Sequence, residues 1–315
     1  MEEIASEATL QEAFEWLCQR RKDYSSNNDV WNLRRNWTQI RPQLRLALLI
    51  DAYRFGALDR FRTPNDQIEL WLAQDALVLK ALAIVLTRRL APRLSQKCYH
   101  LAGRGGAKAA VRAVVENLAD NEFVFRTDVK GYYASIDHDV LMSIAQEYIT
   151  DERVLELLRG YTQRLVYDDA WYYDIERGIS LGCPLSPLMG ALYLNKLDKK
   201  MAASGLFYAR FMDDWVILAP TRWKLRDAIR QVNQILDELK VEKHPDKTFI
   251  GRTGRGFDFL GYRFSPEGLE IARGTWMKHQ ERIAQLYEQG AGQACIGQYV
   301  LNWQRWAAAA VALSA

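Results

Sequence analysis

A chain of 315 residues with a net charge of +3, 49% apolar and with ten tryptophans, carries enough apolar material for one large domain or two or three subdomains around a sizeable core. This composition excludes a disordered chain. Four widely spaced cysteines (Cys18, Cys98, Cys183, Cys295) with no CxxC pair exclude a disulfide framework and argue against zinc. Basic clusters stand at Arg20-Arg21-Lys22, Arg34-Arg35, Arg88-Arg89 with Arg93, and Arg222 to Arg226. Clustered charge can track a phosphate backbone even when the total is near neutral, although each cluster alone is equally a solvated helix face. The N-terminus has no basic, apolar signal pattern. The most apolar stretch, Ala76 to Leu86, is interrupted by Lys80 and is too short for a bilayer. The expectation is a cytoplasmic protein with reduced thiols and no membrane partner.

In chain order, Leu10 to Leu48 reads as amphipathic helix. Asp51 to Asn65, broken by Gly56 and Pro64, has room for short strands, and Arg60 and Arg62 fall there. Gln67 to Leu90 reads as one apolar helix ended by Pro92. Gly103 to Gly106 is a glycine-rich loop, and Ala107 to Leu118 is helical again. Phe123 to Val129 is β-rich and apolar, and Asp139 to Gly160 is helical. Gly182 to Leu197 begins in a Gly/Pro turn and becomes a helix. Tyr208 to Ala219 reads as two strands around a tight turn at Met212-Asp213. Leu225, Ala228, Ile229, Val232, Ile235, Leu236 and Leu239 share one helical face. Phe257 to Phe264 is a further strand pair, and the last fifty residues are helical. This order is α+β and not the alternation of a doubly wound sheet.

Asp213 and Asp214 sit side by side between apolar strand residues. Adjacent carboxylates repel and gain nothing from burial unless a cation joins them. Taken alone, the pair is equally an ordinary Asp-rich hairpin turn. Asp128 shifts that balance, because an acid closing the core strand Phe123 to Thr127 needs a partner. Strands ending in acids can converge on two Mg²⁺ ions about 4 Å apart, the arrangement for in-line phosphoryl transfer. Oxygen ligands without nearby His or Cys favour Mg²⁺ over zinc. His100, His138 and His244 lack ligand spacing and read as structural. Asp137 reads as the N-cap of the following helix.

Five segments carry a resemblance. Asp128-Val129-Lys130-Gly131-Tyr132-Tyr133-Ala134-Ser135-Ile136-Asp137-His138 resembles the first catalytic motif of bacterial reverse transcriptases of the group II intron and retron type. Arg177 to Leu188, with Gly182-Cys183-Pro184, resembles their second palm motif. Phe211-Met212-Asp213-Asp214 matches their aromatic-X-Asp-Asp motif. His244-Pro245-Asp246-Lys247-Thr248 is similar to the lysine motif that follows, and Phe257-Asp258-Phe259-Leu260-Gly261-Tyr262 to the primer-grip hairpin. Gln74 to Leu82 and Gly103 to Lys108 resemble segments of the fingers.

The resemblance implies a right-hand polymerase. Its helical extension and fingers would occupy 1–122, its palm with some fingers elements 123–264, and a short helical thumb 265–315. Asp128, Asp213 and Asp214 would be the catalytic metal ligands, with the Val129 carbonyl adding an oxygen, for two Mg²⁺ ions that Mn²⁺ could replace. Tyr133 takes the position of the family's steric gate against a 2′-hydroxyl, while a core tyrosine is the plainer reading. Gly182 and Lys247 would meet the nucleotide, with a salt bridge at a helix end the competing reading of Lys247, while Arg104 and Lys108 would meet its phosphates and Phe259, Leu260 and Gly261 the primer. The chain has Ser180-Leu181 where the family has Pro-Gln, which removes a polar contact near the nucleotide or template. Tyr299, Trp303 and Trp306 would pack within the thumb or line a duplex groove.

No HNH-type nuclease pattern or Cys-rich finger is visible, so the expectation is a compact, stand-alone RNA-directed DNA polymerase. Its partners would be dNTPs, a DNA product and a dedicated non-coding RNA template, and its setting antiphage defence. The competing readings are template-poor DNA synthesis by the same site and a maturase-like RNA-binding protein.

Overall fold

The computed structural model of the chain describes residues 1–62 and 67–314. Pro64 therefore lies outside the described residues, as does the side chain of Arg62. The strands are β1 Leu58–Arg62, β2 Gln67–Leu70, β3 Phe123–Thr127, β4 Leu165–Asp168, β5 Trp171–Asp174, β6 Phe207–Phe211, β7 Asp214–Ala219, β8 Phe249–Arg252, β9 Phe257–Phe259, β10 Tyr262–Ser265 and β11 Gly268–Ile271. The chain forms two compact units. The first holds Met1–Leu94, Gly131–Asn195 and Asp237–Val241, and the second holds Ser95–Lys130, Lys196–Leu236 and Glu242–Ala315.

The first unit is built around the helix Ala73–Leu90, buried along most of its length. The helix Glu7–Arg20 packs on it through Leu10, Ala13 and Leu17. The expected helix from Leu10 to Leu48 is three helices, Glu7–Arg20, Val30–Arg35 and Trp37–Leu49. The polar run Asp23 to Asn28 cannot continue a buried face, and Asp29 turns back to accept the Ala73 N–H at 2.5 Å. That contact caps the central helix and explains a second correction. Gln67 to Leu70, expected as helix, is strand β2, because its alternation pairs it with β1 from Arg62↔Gln67 to Asp59↔Leu70. The helix expected over Asp139 to Gly160 is likewise two, His138–Gln146 and Glu152–Thr162. Asp151 restarts the second by accepting the Arg153 N–H at 3.1 Å. Asp137 caps the first through Val140 N at 3.0 Å, as expected.

The sheet of this unit runs β2-β1-β4-β5. Its ends are tied by charge: Arg164 Nε meets Glu69 Oε2 at 2.6 Å, and Arg60 meets Glu69 at 3.0 Å.

The second unit carries an antiparallel sheet in the order β6-β7-β3-β8 and a three-stranded sheet β11-β10-β9. The helix Gly106–Leu118 buries Ala110, Val111 and Val114 against Val124, Ala209, Val216 and Leu218, and Phe257, Phe259 and Phe264 join the same core. The β9–β10 hairpin closes on Leu260 and Gly261, both left-handed at φ 50° and 88°. Trp306 stacks on Tyr262 at 4.7 Å beside that turn. Among the described residues no helix is long and apolar enough to cross a membrane.

Candidate active site

The register of the second unit brings the acids together. Thr127 at the end of β3 pairs with Trp215 of β7. In an antiparallel pair the next residue of one strand faces the previous residue of the other, so Asp128 arrives beside Asp214. Phe211 pairs with Asp214, which leaves Met212 and Asp213 as a two-residue turn between β6 and β7. The three acids expected from the sequence therefore meet at one end of the sheet.

Asp128 and Asp214 each meet a cation. Lys247, in the short turn Pro245–Lys247, puts Nζ 2.7 Å from Asp128 Oδ2. Arg126 Nε lies 3.4 Å from Asp214 Oδ1, within ion-pair range but not aligned as a hydrogen bond. Asp128 Oδ1 and Asp214 Oδ1 are both buried with no hydrogen-bond donor. Burial, opposed in part by Arg126 and reinforced by Asp128 and Asp213, pushes the Asp214 carboxyl up to about 7. Burial and the charge of Asp128 also raise Asp213, although its own N–H and the charges of Lys247 and Arg210 pull the other way. These are acids held close against their own repulsion.

Orphaned carboxylate oxygens fit a hard divalent cation chemically. Among the described residues, however, no group of three or more His, Cys, Asp or Glu stands in a metal-holding arrangement. Lys247 occupies one oxygen of Asp128, and Arg126 flanks Asp214. A cation held by Asp128 would compete with Lys247 for its carboxylate.

Arg210, Asp198 and Tyr208, to which the sequence assigned no role, support this turn together with His100. Arg210, in the middle of β6, is fully buried and paired with fully buried Asp198 of the helix Asn195–Ala203, NH2 to Oδ2 at 2.5 Å. Tyr208 donates to the same carboxylate at 2.8 Å. Arg210 NH1 also donates to the Met212 carbonyl at 2.5 Å, and His100 Nδ1 accepts the Met212 N–H at 3.0 Å. An arginine inside an apolar strand was a legible signal, since a buried charge requires a partner.

The other expected residues fall as follows. Val129 is buried and bridges to Lys243. Arg104 donates to the Ser95 and Cys98 carbonyls, and Lys108 is exposed on the helix Gly106–Leu118. Phe259, Leu260 and Gly261 form the turn beneath Trp306. All of these belong to the second unit. Tyr133 and Gly182 belong to the first. There Tyr133 is half-buried against Tyr132, with ring centroids 5.6 Å apart, and its edge crowds Gly190. Gly182 is exposed and left-handed at φ 84°. Ser180 is buried and accepts from Trp71 Nε1 at 3.1 Å, whereas Leu181 is exposed.

His138 and His100 are bound within the protein, His138 to the Gly178 carbonyl. His244 Nδ1 is buried with no hydrogen-bond partner.

A solved structure similar in fold is the telomerase of Candida albicans in complex with a fragment of telomeric RNA. The match has a TM-score of 0.57 at 13% identity and covers 72% of this chain and 46% of that one. The fold is thus the α+β fold of right-hand polymerases. Residues 75–264 match the family described as reverse transcriptase (RNA-dependent DNA polymerase), and the chain belongs to that family. Among curated relatives, the group II intron-encoded protein LtrA of Lactococcus lactis subsp. cremoris is 21% identical over 54% of this chain and 28% of its own length. The protein YkfC of Escherichia coli is 24% identical over 49% of this chain and 51% of its own length. A 91 kDa protein in the cob intron of Schizosaccharomyces pombe is 24% identical over 56% of this chain and 21% of its own length. The chain thus spans between a fifth and half the length of these relatives.

Proposed function

We propose that this chain is an RNA-directed DNA polymerase that joins dNTPs to a primer 3′-hydroxyl at Asp128, Asp213 and Asp214. The observation that carries the reading is the meeting of these acids at one end of an antiparallel sheet, with two buried carboxylate oxygens lacking donors, in a chain of the reverse transcriptase family. A module that only binds RNA has no use for buried acids held against their own repulsion. Asp128 and Asp213, with Asp214 beside them and the Val129 carbonyl as a further oxygen, would hold two Mg²⁺ ions. Bound there, the metal supplies a lowered pKa for the attacking 3′-hydroxyl and charge neutralisation for the leaving pyrophosphate. Lys247 is poised to exchange its contact with Asp128 for the triphosphate. Phe259, Leu260 and Gly261 hold the primer, Gly182 lets backbone approach the nucleotide, and Arg104 and Lys108 stand near phosphate. The division into fingers (1–122), palm (123–264) and thumb (265–315) belongs to the same reading. A dedicated non-coding RNA template, Mn²⁺ as a substitute metal, an antiphage role and a cytoplasmic location rest on the family resemblance alone.

Sugar selection tests this function. Tyr133 follows Asp128 at the spacing of the family's steric gate. Its ring excludes a 2′-hydroxyl by volume, with no hydrogen bond that water could replace. Tyr133→Ala should raise rNTP use relative to dNTP use by roughly ten- to a hundredfold, since each ~1.4 kcal/mol of relieved overlap is tenfold in rate. Single-nucleotide extension on a primed RNA template with matched dNTP and rNTP reads the ratio. An unchanged ratio makes Tyr133 a core residue.

RNA affinity should also fall steeply with salt. Arg88 and Arg89 are paired with Glu12 and Glu3, whereas Arg222, Lys224 and Arg226 are exposed around Trp223. If about six phosphates are neutralised, affinity drops on the order of a hundredfold or more between 50 and 200 mM salt. A flat titration would contradict a groove that tracks the backbone.

A further inference from the structure

The turn that carries Asp213 is held in a backbone conformation its sequence does not favour. Met212 has φ 57°, a left-handed value that glycine or asparagine usually supplies at hairpin turns. Its two backbone groups are held by side chains, one from the neighbouring strand residue and one from a distant segment. The carbonyl accepts from Arg210 NH1 at 2.5 Å, and the N–H donates to His100 Nδ1 at 3.0 Å.

The segment that brings His100 is itself fastened to β6. Arg210 N donates to the Lys97 carbonyl at 2.9 Å, and Tyr99 N donates to the Arg210 carbonyl at 2.8 Å. Cys98 thereby forms a parallel bridge with Arg210. Arg104 closes the loop behind it through the Ser95 and Cys98 carbonyls. The imidazole then stands edge-on to Phe211, with centroids 6.0 Å apart at 74°.

The tautomer follows from the neighbours. A backbone N–H can only donate, so Nδ1 must accept and the ring proton sits on Nε2. The Cys98 sulfur also lies 3.4 Å from Nδ1. Burial pushes that thiol up to about 11, so it faces the ring as S–H.

We propose that His100 is a positioning residue for the polymerase reaction: its Nδ1 takes the Met212 N–H and, with Arg210 on the Met212 carbonyl, fixes the strained turn that presents Asp213 and Asp214. The inference rests on the reading that these acids perform the chemistry. The clamp itself is a property of the turn and can be measured without any reaction.

Two substitutions separate the hydrogen bond from the bulk of the ring. His100→Phe keeps a ring against Phe211 and removes the acceptor. His100→Asn can put Oδ1 where Nδ1 stands. In amide hydrogen exchange on the protein without substrate or added metal, the Met212 amide should exchange at least tenfold faster in His100→Phe and return close to wild type in His100→Asn. In primer extension, His100→Phe should lose roughly ten- to a hundredfold in kcat, the range for leaving one such donor unmade. Its KM for dNTP should stay within about twofold, its Mg²⁺ requirement for half-maximal rate should rise several-fold, and His100→Asn should restore most of the rate. Unchanged Met212 exchange in His100→Phe overturns the clamp, as does equal impairment of both variants. Faster Met212 exchange in His100→Phe, together with no DNA synthesis by the wild type, leaves the clamp standing and removes the functional reading beneath it.

Discussion

Replacing Asp213 and Asp214 together by alanine should lower dNTP incorporation by at least about a thousandfold while leaving the protein folded. Groups that stabilise charge developing in the transition state are worth roughly 3–4 kcal/mol or more each when removed. The stability side has the opposite sign. Burial raises both carboxyls, and Asp214 reaches about 7. A carboxyl whose folded pKa lies above its unfolded value stabilises the fold fully only below the unfolded pKa. That contribution is lost as pH rises from about 4 through about 7. At pH 7.5 the wild type therefore carries a penalty that the double variant lacks. The melting temperature of the variant should equal or exceed that of wild type at pH 7.5, and the advantage should shrink toward pH 5. Wild-type incorporation by the double variant would remove these acids from the chemistry.

The second large effect is on stability. Asp198 and Arg210 are both fully buried, and their carboxylate and guanidinium satisfy each other together with Tyr208 and the Met212 carbonyl. Removing one member leaves an unpaired charge in the core, which costs about 3–5 kcal/mol. Asp198→Ala should therefore lower the melting temperature by about 10 °C. Replacing both members with apolar residues of similar volume often restores stability, because the cost lies in the orphaned charge and not in the loss of the pair. Asp198→Leu with Arg210→Met should recover most of the melting temperature yet stay impaired in synthesis, since the Met212 carbonyl has lost its donor. Thermal unfolding of the single and double variants, read beside primer extension, separates the two roles. A loss below about 1 kcal/mol for Asp198→Ala would mean that the pair is not buried as described.

The parts of this molecule that the sequence disclosed are those set by local pattern. Alternating apolar residues on both sides of Met212-Asp213 marked the β6–β7 hairpin, and Asp128 at the close of an apolar strand marked its partner. Helix Gln67 to Leu90 was misread at its start because Ile68, Leu70 and Trp71 continue an apolar run. Only pairing with β1, a tertiary fact, makes Gln67–Leu70 a strand. Strands β4 and β5 escaped because β5, Trp171–Asp174, is exposed at every residue and so has no alternation to read. The supports of the Met212-Asp213 turn escaped for a different reason. His100 and Met212 are 112 positions apart, and Asp198 and Arg210 are 12 apart on different elements. No periodicity links such partners. The buried arginine was the one clue that a partner had to exist.

The central claim is tested most directly by giving the purified chain a DNA primer annealed to an RNA template of defined sequence, with Mg²⁺ and either all four dNTPs or all four rNTPs, and sequencing what is made. The account predicts DNA complementary to the template, made from dNTPs in preference to rNTPs. A product made of ribonucleotides would place the chain among RNA polymerases. DNA unrelated to the template, or no product in any mixture, would contradict RNA-directed synthesis.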